Sequence, residues 1–257
     1  MNEKPSQHDP QIQISSDAVL TVAAHFRSPQ YYRHNCRRQE HLATLGLELS
    51  SKSVLELGAG VGDHTTFFLD RGCTVTSIEP RIENYRLFQD SMNSLARAGY
   101  DQVAHHRLVL GAIDSLGTMV DGTYDVVYCY GLLYHLANPD AALRLIAARC
   151  ADILLLETCV SFGDHEAVNN LPEVIADPTQ SVSGIGCRPT RPWISNRLKE
   201  LFSFVYVPRS QPAHEEFPID WTNPSSHGLA RAVFIATRRP LTNPQLLTDL
   251  PLHQTRC

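Results

Sequence analysis

The 257-residue sequence contains no apolar run long enough to span a bilayer and no C-x-x-C pair. Residues 1–16 lack the basic-then-apolar order of a signal peptide, and their polar composition predicts disorder. The seven cysteines are scattered and odd in number, and several lie in apolar runs where a cysteine acts as a small hydrophobe. We therefore expect a protein of the reducing cytoplasm, without a membrane span and without a metal site.

Basic residues are in deficit. The chain has 22 Lys and Arg against 27 Asp and Glu, which gives a formal net charge of −5. A dedicated nucleic-acid binder usually carries a basic surplus, so nucleic acid is not the expected partner. The sequence leaves a homodimer open. Its hydrophobic fraction of 43% is enough for a substantial core.

Strand-like and helix-like segments alternate from residue 53 onward, which predicts an α/β fold with a parallel sheet covered by helices on both faces. The expected strands are 53–57, 74–78, 104–110, 124–129, 153–156, 204–207 and 231–237, and the expected helices lie near 31–45, 63–70, 82–98, 192–202 and after Pro139. One domain over residues 17–240 follows, with residues 241–257 as a C-terminal tail. The long polar segments 159–189 and 208–229 are expected to cover an active site as caps.

The first strand runs into a glycine-rich turn, Leu57-Gly58-Ala59-Gly60-Val61-Gly62-Asp63, and then into a helix. A strand, glycine turn and helix in this order form a nucleotide-binding device. A dinucleotide fold would place a third glycine at Asp63, whose carboxylate would instead face a pyrophosphate. S-adenosylmethionine (SAM) carries no phosphate, so an acid is acceptable beside its sulfonium and amino groups. An NAD-dependent oxidoreductase is therefore a distant alternative.

Glu79 lies 21 residues after Gly58, at the tip of the second strand. An ionised carboxylate at that point can accept hydrogen bonds from both hydroxyls of a ribose. The combination of the glycine turn with this acid is much more specific than either feature alone.

Over residues 53–158 the chain resembles the class I SAM-dependent methyltransferase family, and the strands near Phe204 and Arg231 match that family's terminal antiparallel hairpin. The resemblance implies a Rossmann-like, mainly parallel seven-stranded sheet with an antiparallel last strand. It also implies SAM as cofactor and S-adenosylhomocysteine (SAH) as product. The expected cofactor-binding residues are Glu56, Gly58, Ala59, Gly60, Gly62, His64, Glu79, Pro80, Ala112, Ile113, Asp114, Tyr130 and Gly131.

The fourth strand leads into Tyr130-Gly131-Leu132-Leu133-Tyr134-His135, where residues past the carboxyl end of a parallel strand face the ligand crevice. His135 and Tyr134 are the catalytic candidates. A histidine is suited to remove the proton of a hydroxyl acceptor near neutral pH. The alternative is a structural histidine that caps the helix after Pro139, and the sequence leaves both open.

The substrate-binding candidates are Tyr32, Arg33, Arg188, Arg191, His214 and Trp221. Arg188 and Arg191 flank a stiff turn and suit a carboxylate or phosphate, although solvated arginines are an equal alternative. The leading hypothesis is methyl transfer to an oxygen or nitrogen of a small polar metabolite or natural product. Residues 132–135 and 154–158 are also similar to the tRNA wobble-uridine carboxymethyltransferase branch, so a tRNA acceptor is one alternative. A SAM-binding protein that transfers no methyl group is the other.

Overall fold

The computed structural model describes residues 16–224 and 228–257. The disorder expected for residues 1–16 lies outside the described residues, except for Ser16, where the first helix begins. The cap expected over 208–229 is described except for residues 225–227.

Helices and strands alternate through most of the chain. The helices are α1 Ser16–Phe26, α2 Pro29–Thr44, α3 Thr65–Leu69, α4 Ile82–Arg97, α5 Leu116–Met119, α6 Pro139–Arg149 and α7 Arg191–Leu201. The strands are β1 Ser53–Leu57, β2 Thr74–Glu79, β3 His106–Leu110, β4 Tyr124–Tyr130, β5 Cys150–Cys159, β6 Val168–Pro172, β7 Ile185–Pro189, β8 Phe204–Pro208, β9 Ser210–Gln211, β10 Arg231–Thr237, β11 Leu246–Leu247 and β12 Thr255–Arg256. None of the described helices is long and apolar enough to cross a membrane.

The central sheet has the strand order β11-β8-β10-β5-β4-β1-β2-β3. Strands β3, β2, β1, β4 and β5 run parallel, and β10 pairs antiparallel with both β5 and β8. This arrangement confirms the predicted Rossmann-like fold and its antiparallel last strand. The eighth strand, β11, was not predicted, because two residues give no measurable periodicity.

The segment expected as an irregular cap contains a regular element. Strands β6 and β7 form a separate antiparallel hairpin inside residues 159–189.

The third strand of the sheet begins at His106 and not at Ala104, since Asp101–His105 forms a 3₁₀ helix. The final residues also pack on the domain: Asn243 Nδ2 donates to the Leu45 carbonyl oxygen at 2.7 Å.

The core occupies both faces of the sheet. Leu55, Val127 and Leu154 belong to one buried cluster, while Val126 and Leu155, their neighbours in sequence, belong to the other. Successive strand residues point to opposite faces, so nearly continuous apolar strands are required here. The parallel strands consequently end at one edge, where β1, β2 and β4 deliver their last residues to a common crevice.

Candidate active site

The turn after β1 is bonded to the end of β2. The backbone N–H groups of Gly58 and Ala59 both donate to the Ile78 carbonyl oxygen, at 3.0 and 3.1 Å. Gly62 has a φ of +85°, and a Cβ atom there would lie 2.2 Å from the Phe88 ring of α4. Only glycine fits this position, because helix α4 packs directly against the turn.

Glu79, the last residue of β2, is 3% exposed and accepts three hydrogen bonds. Its Oε2 accepts from the Gly60 backbone N–H at 2.8 Å, and its Oε1 accepts from the Arg81 backbone N–H at 3.0 Å and from Asn84 Nδ2 at 3.1 Å. Burial raises the pKa of Glu79 to about 7, although these bonds favour the charged form. The carboxyl group is therefore tied to the glycine turn and titrates near neutral pH.

A second buried acid, Glu56, lies on the neighbouring strand β1. Glu56 accepts hydrogen bonds from the hydroxyls of Thr65 and Ser77, both at 2.6 Å on Oε2. Burial raises its pKa to about 7. Asp63, at the position where a dinucleotide fold would have glycine, accepts from Asn35 Nδ2 at 3.0 Å.

His64 connects α2 to the sheet and has both ring nitrogens engaged. Its Nε2 is 3.1 Å from Asn35 Oδ1, and its Nδ1 is 2.7 Å from the Tyr128 hydroxyl. Because the amide oxygen can only accept, Nε2 carries the proton and Nδ1 accepts from the tyrosine. Burial and the positive charge of Arg38 hold the pKa of His64 well below its usual range.

One cavity of about 1140 Å³ runs along this edge of the sheet. Twelve of the thirteen expected cofactor-binding residues form part of its wall: Glu56, Gly58, Ala59, Gly60, His64, Glu79, Pro80, Ala112, Ile113, Asp114, Tyr130 and Gly131. Gly62 does not, because it faces Phe88. The cavity exceeds the roughly 300–1,000 Å³ usual for one drug-sized ligand, so it has room for a cofactor and a small second molecule.

His135 also lies on the cavity wall, and it is paired with Glu173, the residue that follows β6. His135 Nδ1 lies 2.5 Å from Glu173 Oε2, which also accepts from the Ser181 backbone N–H at 2.8 Å. The carboxylate fixes the imidazole with its proton on Nδ1, which leaves Nε2 as an acceptor. This is the arrangement of a histidine general base oriented by an acid.

The charge states of this pair favour that role. Burial lowers the pKa of His135, with Arg231 and Arg188 acting in the same direction and Glu173 opposing them. For Glu173, burial acts to raise the pKa, but the hydrogen bond and charge of His135, the Ser181 N–H and Arg188 together hold it below the usual value. At neutral pH the histidine is therefore neutral and the glutamate ionised.

A buried ion network lies next to the pair. Glu157 is fully buried, with Oε1 accepting from Arg231 at 3.0 Å and Oε2 lying 3.1 Å from an Arg38 nitrogen. Arg231 also donates to Glu216 at 2.6 Å and to the Tyr134 hydroxyl at 3.1 Å. Burial raises the pKa of Tyr134 to about 12, so this residue is a neutral phenol held by Arg231 and is not a base at neutral pH.

Three of the expected substrate-binding residues lie outside the cavity wall, and we no longer assign them that role. Tyr32 is 69% exposed. Arg191 donates twice to the Pro251 carbonyl oxygen and stacks on the Trp221 ring at 4.0 Å. Trp221 Nε1 donates to Gln254 at 2.7 Å, so these two residues anchor the C-terminal segment.

The other three, Arg33, Arg188 and His214, line the cavity. Arg33 forms two hydrogen bonds to Glu215, at 2.9 and 2.7 Å. The sequence did not identify Glu173, because nothing in a polar cap segment marks one acid as the partner of a histidine far away along the chain.

Comparison with known proteins agrees with this geometry. Residues 26–184 match a family described as a methyltransferase domain. Human thiol S-methyltransferase TMT1B is 25% identical over 186 residues, which cover 70% of each chain. The tRNA U34 carboxymethyltransferase of Vibrio atlanticus is 33% identical over 123 residues, 47% of this chain and 36% of that one.

Among solved structures, the N-terminal domain of EvdMO1 with SAH and D-fucose superposes with a TM-score of 0.60 at 21% identity, covering 82% of this chain and 85% of that one. That likeness concerns the fold. The fold and the family match together define a class I methyltransferase. The chain belongs to the methyltransferase-domain family, and it is a SAM-dependent methyltransferase.

Proposed function

We propose that this enzyme methylates an oxygen or nitrogen of a small polar molecule and that His135 removes the acceptor's proton when the acceptor is a hydroxyl. The observation that carries the proposal is the buried pair of His135 and Glu173 on the wall of the same cavity as the glycine turn. SAM supplies a methyl group on positively charged sulfur. The chain's own residues must position the two ligands and accept a proton.

The residues at the cofactor end of the cavity match the groups that SAM presents. Glu79 would accept from the ribose hydroxyls, the Gly58-Ala59-Gly60 turn would lie against the methionine part, and Ala112 to Asp114 would flank the adenine. A second observation, besides Glu79, supports a polar ligand. The buried Tyr130 hydroxyl has no hydrogen-bond partner among the described residues, although Tyr130 lines the cavity. An unpartnered buried hydroxyl is costly unless a ligand or water satisfies it.

Proton removal matters most for a hydroxyl acceptor. A neutral alcohol is a weak nucleophile, whereas a neutral amine already has its lone pair available. His135 Nε2 would take the hydroxyl proton as the oxygen attacks, and ionised Glu173 would stabilise the imidazolium that forms. Arg188, 3.5 Å from Glu173 on the cavity wall, offers a charged group to a polar acceptor.

A thiol acceptor is the second candidate, and the similarity to a human thiol S-methyltransferase favours it. A thiol ionises near pH 8.5, far more easily than an alcohol, so its methylation depends less on a base. The effect of removing His135 therefore separates the two candidates.

The test is SAH formation from SAM across a panel of a phenol, an alcohol, an amine, a thiol and tRNA. Wild type is compared with His135→Gln and with a control, His165→Gln, at an exposed histidine outside the cavity wall. We expect turnover of a small hydroxyl or amine acceptor, with hydroxyl turnover lost in His135→Gln and kept in His165→Gln. Turnover of the thiol alone, or of tRNA alone, would contradict the proposal.

A further inference from the structure

A second cluster of polar side chains lies close to the catalytic pair. His34 of α2 meets His214 and Glu216 of the segment between β9 and β10, and one donor atom from each lies within 4.8 Å of the others. All three residues line the cavity. Arg231 joins this cluster to the pair, because it donates to Glu216 and also to the hydroxyl of Tyr134, the neighbour of His135.

His34 is the unusual member of the cluster. Its side chain is 10% exposed, and Nε2 is a buried atom without a hydrogen-bond partner in the described part of the chain. The nearest carboxylate oxygen, Glu216 Oε2, is 3.7 Å away, beyond hydrogen-bond distance. A buried polar nitrogen left in this way calls for a partner beyond the described residues, such as a water or a bound ion.

We propose that His34, His214 and Glu216 bind a divalent transition-metal ion, zinc above others, in the wall of the acceptor cavity. Tetrahedral zinc holds nitrogen and oxygen donors at roughly 2.0–2.1 Å, which places neighbouring donors about 3.4 Å apart. The 3.7 Å separation of His34 and Glu216 is within a few tenths of an ångström of that value. The donors farthest apart, within the 4.8 Å limit of the cluster, would approach by up to about 1.4 Å, while Glu216 Oε2 also accepts from Arg231 at 2.6 Å.

The surrounding charges decide what else the ion would bind. The arginines and glutamates around the cluster are Arg33, Arg38, Arg231, Arg256, Glu157, Glu215 and Glu216. The glutamates do not outnumber the arginines, so a divalent ion added to this group favours an anion as its fourth ligand. Three protein ligands leave that position open, and an oxygen or sulfur of the acceptor would occupy it. This last step rests on the proposed function, whereas binding of the ion does not.

The experiment is a titration of metal-free protein with Co²⁺, whose visible absorption reports tetrahedral coordination, followed by competition with Zn²⁺ and metal analysis after dialysis. The variants are His34→Ala and Glu216→Gln, with His165→Ala as the control at an exposed histidine. Each variant is also titrated with SAH, which shows that the cofactor part of the fold is intact.

We expect one ion per chain in wild type and control, and at least tenfold weaker binding in His34→Ala and Glu216→Gln with SAH affinity unchanged. Absence of a tetrahedral spectrum in wild type, or equal binding in His34→Ala, would overturn the metal site. Either result would leave the proposed methyl transfer untouched, because that function is tested separately with the acceptor panel.

Discussion

Replacement of Glu79 by glutamine is the sharpest perturbation of the cofactor end. The carboxylate has two acceptor oxygens, and three donors already use them: the Gly60 and Arg81 backbone N–H groups and Asn84 Nδ2. Glutamine keeps the size but offers one acceptor oxygen. Its NH₂ group would face at least one of these donors, or a ribose hydroxyl that needs an acceptor.

The magnitude follows from the bonds at risk. A hydrogen bond to a charged group contributes roughly 1.5–3 kcal/mol. At about 1.4 kcal/mol for each tenfold change, losing one such bond weakens SAH binding by about 10- to 100-fold. Because burial raises the pKa of Glu79 to about 7, the full difference is expected near pH 8, where the carboxyl group is ionised.

The assay is calorimetric titration with SAH at about pH 8 and again at about pH 6, for wild type, Glu79→Gln and the control Glu83→Gln, which lies outside the cavity wall. Below pH 7 the wild-type carboxyl group is protonated in the free protein, so its advantage over Glu79→Gln should shrink as the pH falls. Glu56 and the ligand titrate equally in all three proteins, and the comparison with the variant removes their contribution.

Equal SAH affinity of folded Glu79→Gln and wild type at about pH 8 would refute the assignment of Glu79 to the ribose. A loss of affinity that is the same at both pH values would mean that the ionisation of Glu79 does not contribute to SAH binding. Thermal unfolding without ligand checks the fold. An amide that faces one of the internal donors costs roughly 1.5–3 kcal/mol, so we expect the variant to melt about 3–12 °C below wild type in a single cooperative transition.

Three further outcomes are expected. His135→Gln should lower kcat for a hydroxyl acceptor by about 10²- to 10⁴-fold with SAH affinity unchanged, and a smaller loss would argue for a structural histidine. The pKa of His135 is below its usual value, and Glu173 acts to raise it. At saturating SAM, where protonation of Glu79 no longer limits turnover, the acid limb of kcat/KM for the hydroxyl acceptor should lie below pH 6.5 and move to still lower pH in Glu173→Gln; an unchanged limb would contradict the pairing. In denaturant titrations, Gly62→Ala should lower the free energy of unfolding by about 1–3 kcal/mol more than Gly99→Ala. Both glycines have a positive φ, but only Gly62 faces Phe88. Equal losses in the two variants would mean that backbone strain is the only cause.

The glycine turn and Glu79 were predictable because each depends on local order in the chain. A strand that ends in glycines must place them at the sheet edge, and an acid at the end of the next parallel strand must lie beside them. In the structure the two are in direct contact, because the Gly60 N–H donates a hydrogen bond to Glu79.

The acceptor end was less predictable, since its contacts join distant segments. Glu173 reaches His135 from a hairpin that has no strong sequence signal, and His34 meets Glu216 from the other end of the chain. Arg191 was expected near the substrate, but it stacks on Trp221 instead. The sequence marked His135 and Arg191 as chemically capable, whereas only the tertiary packing decides which partner each one contacts.

Calorimetric titration of the purified protein with SAM, SAH and NADH distinguishes a SAM site from a dinucleotide site without any knowledge of the acceptor. We expect one molecule of SAM or SAH bound per chain and no binding of NADH. Binding of NADH without SAM or SAH would mean that the glycine turn and Asp63 serve a dinucleotide, and the assignment of the cavity would then be wrong.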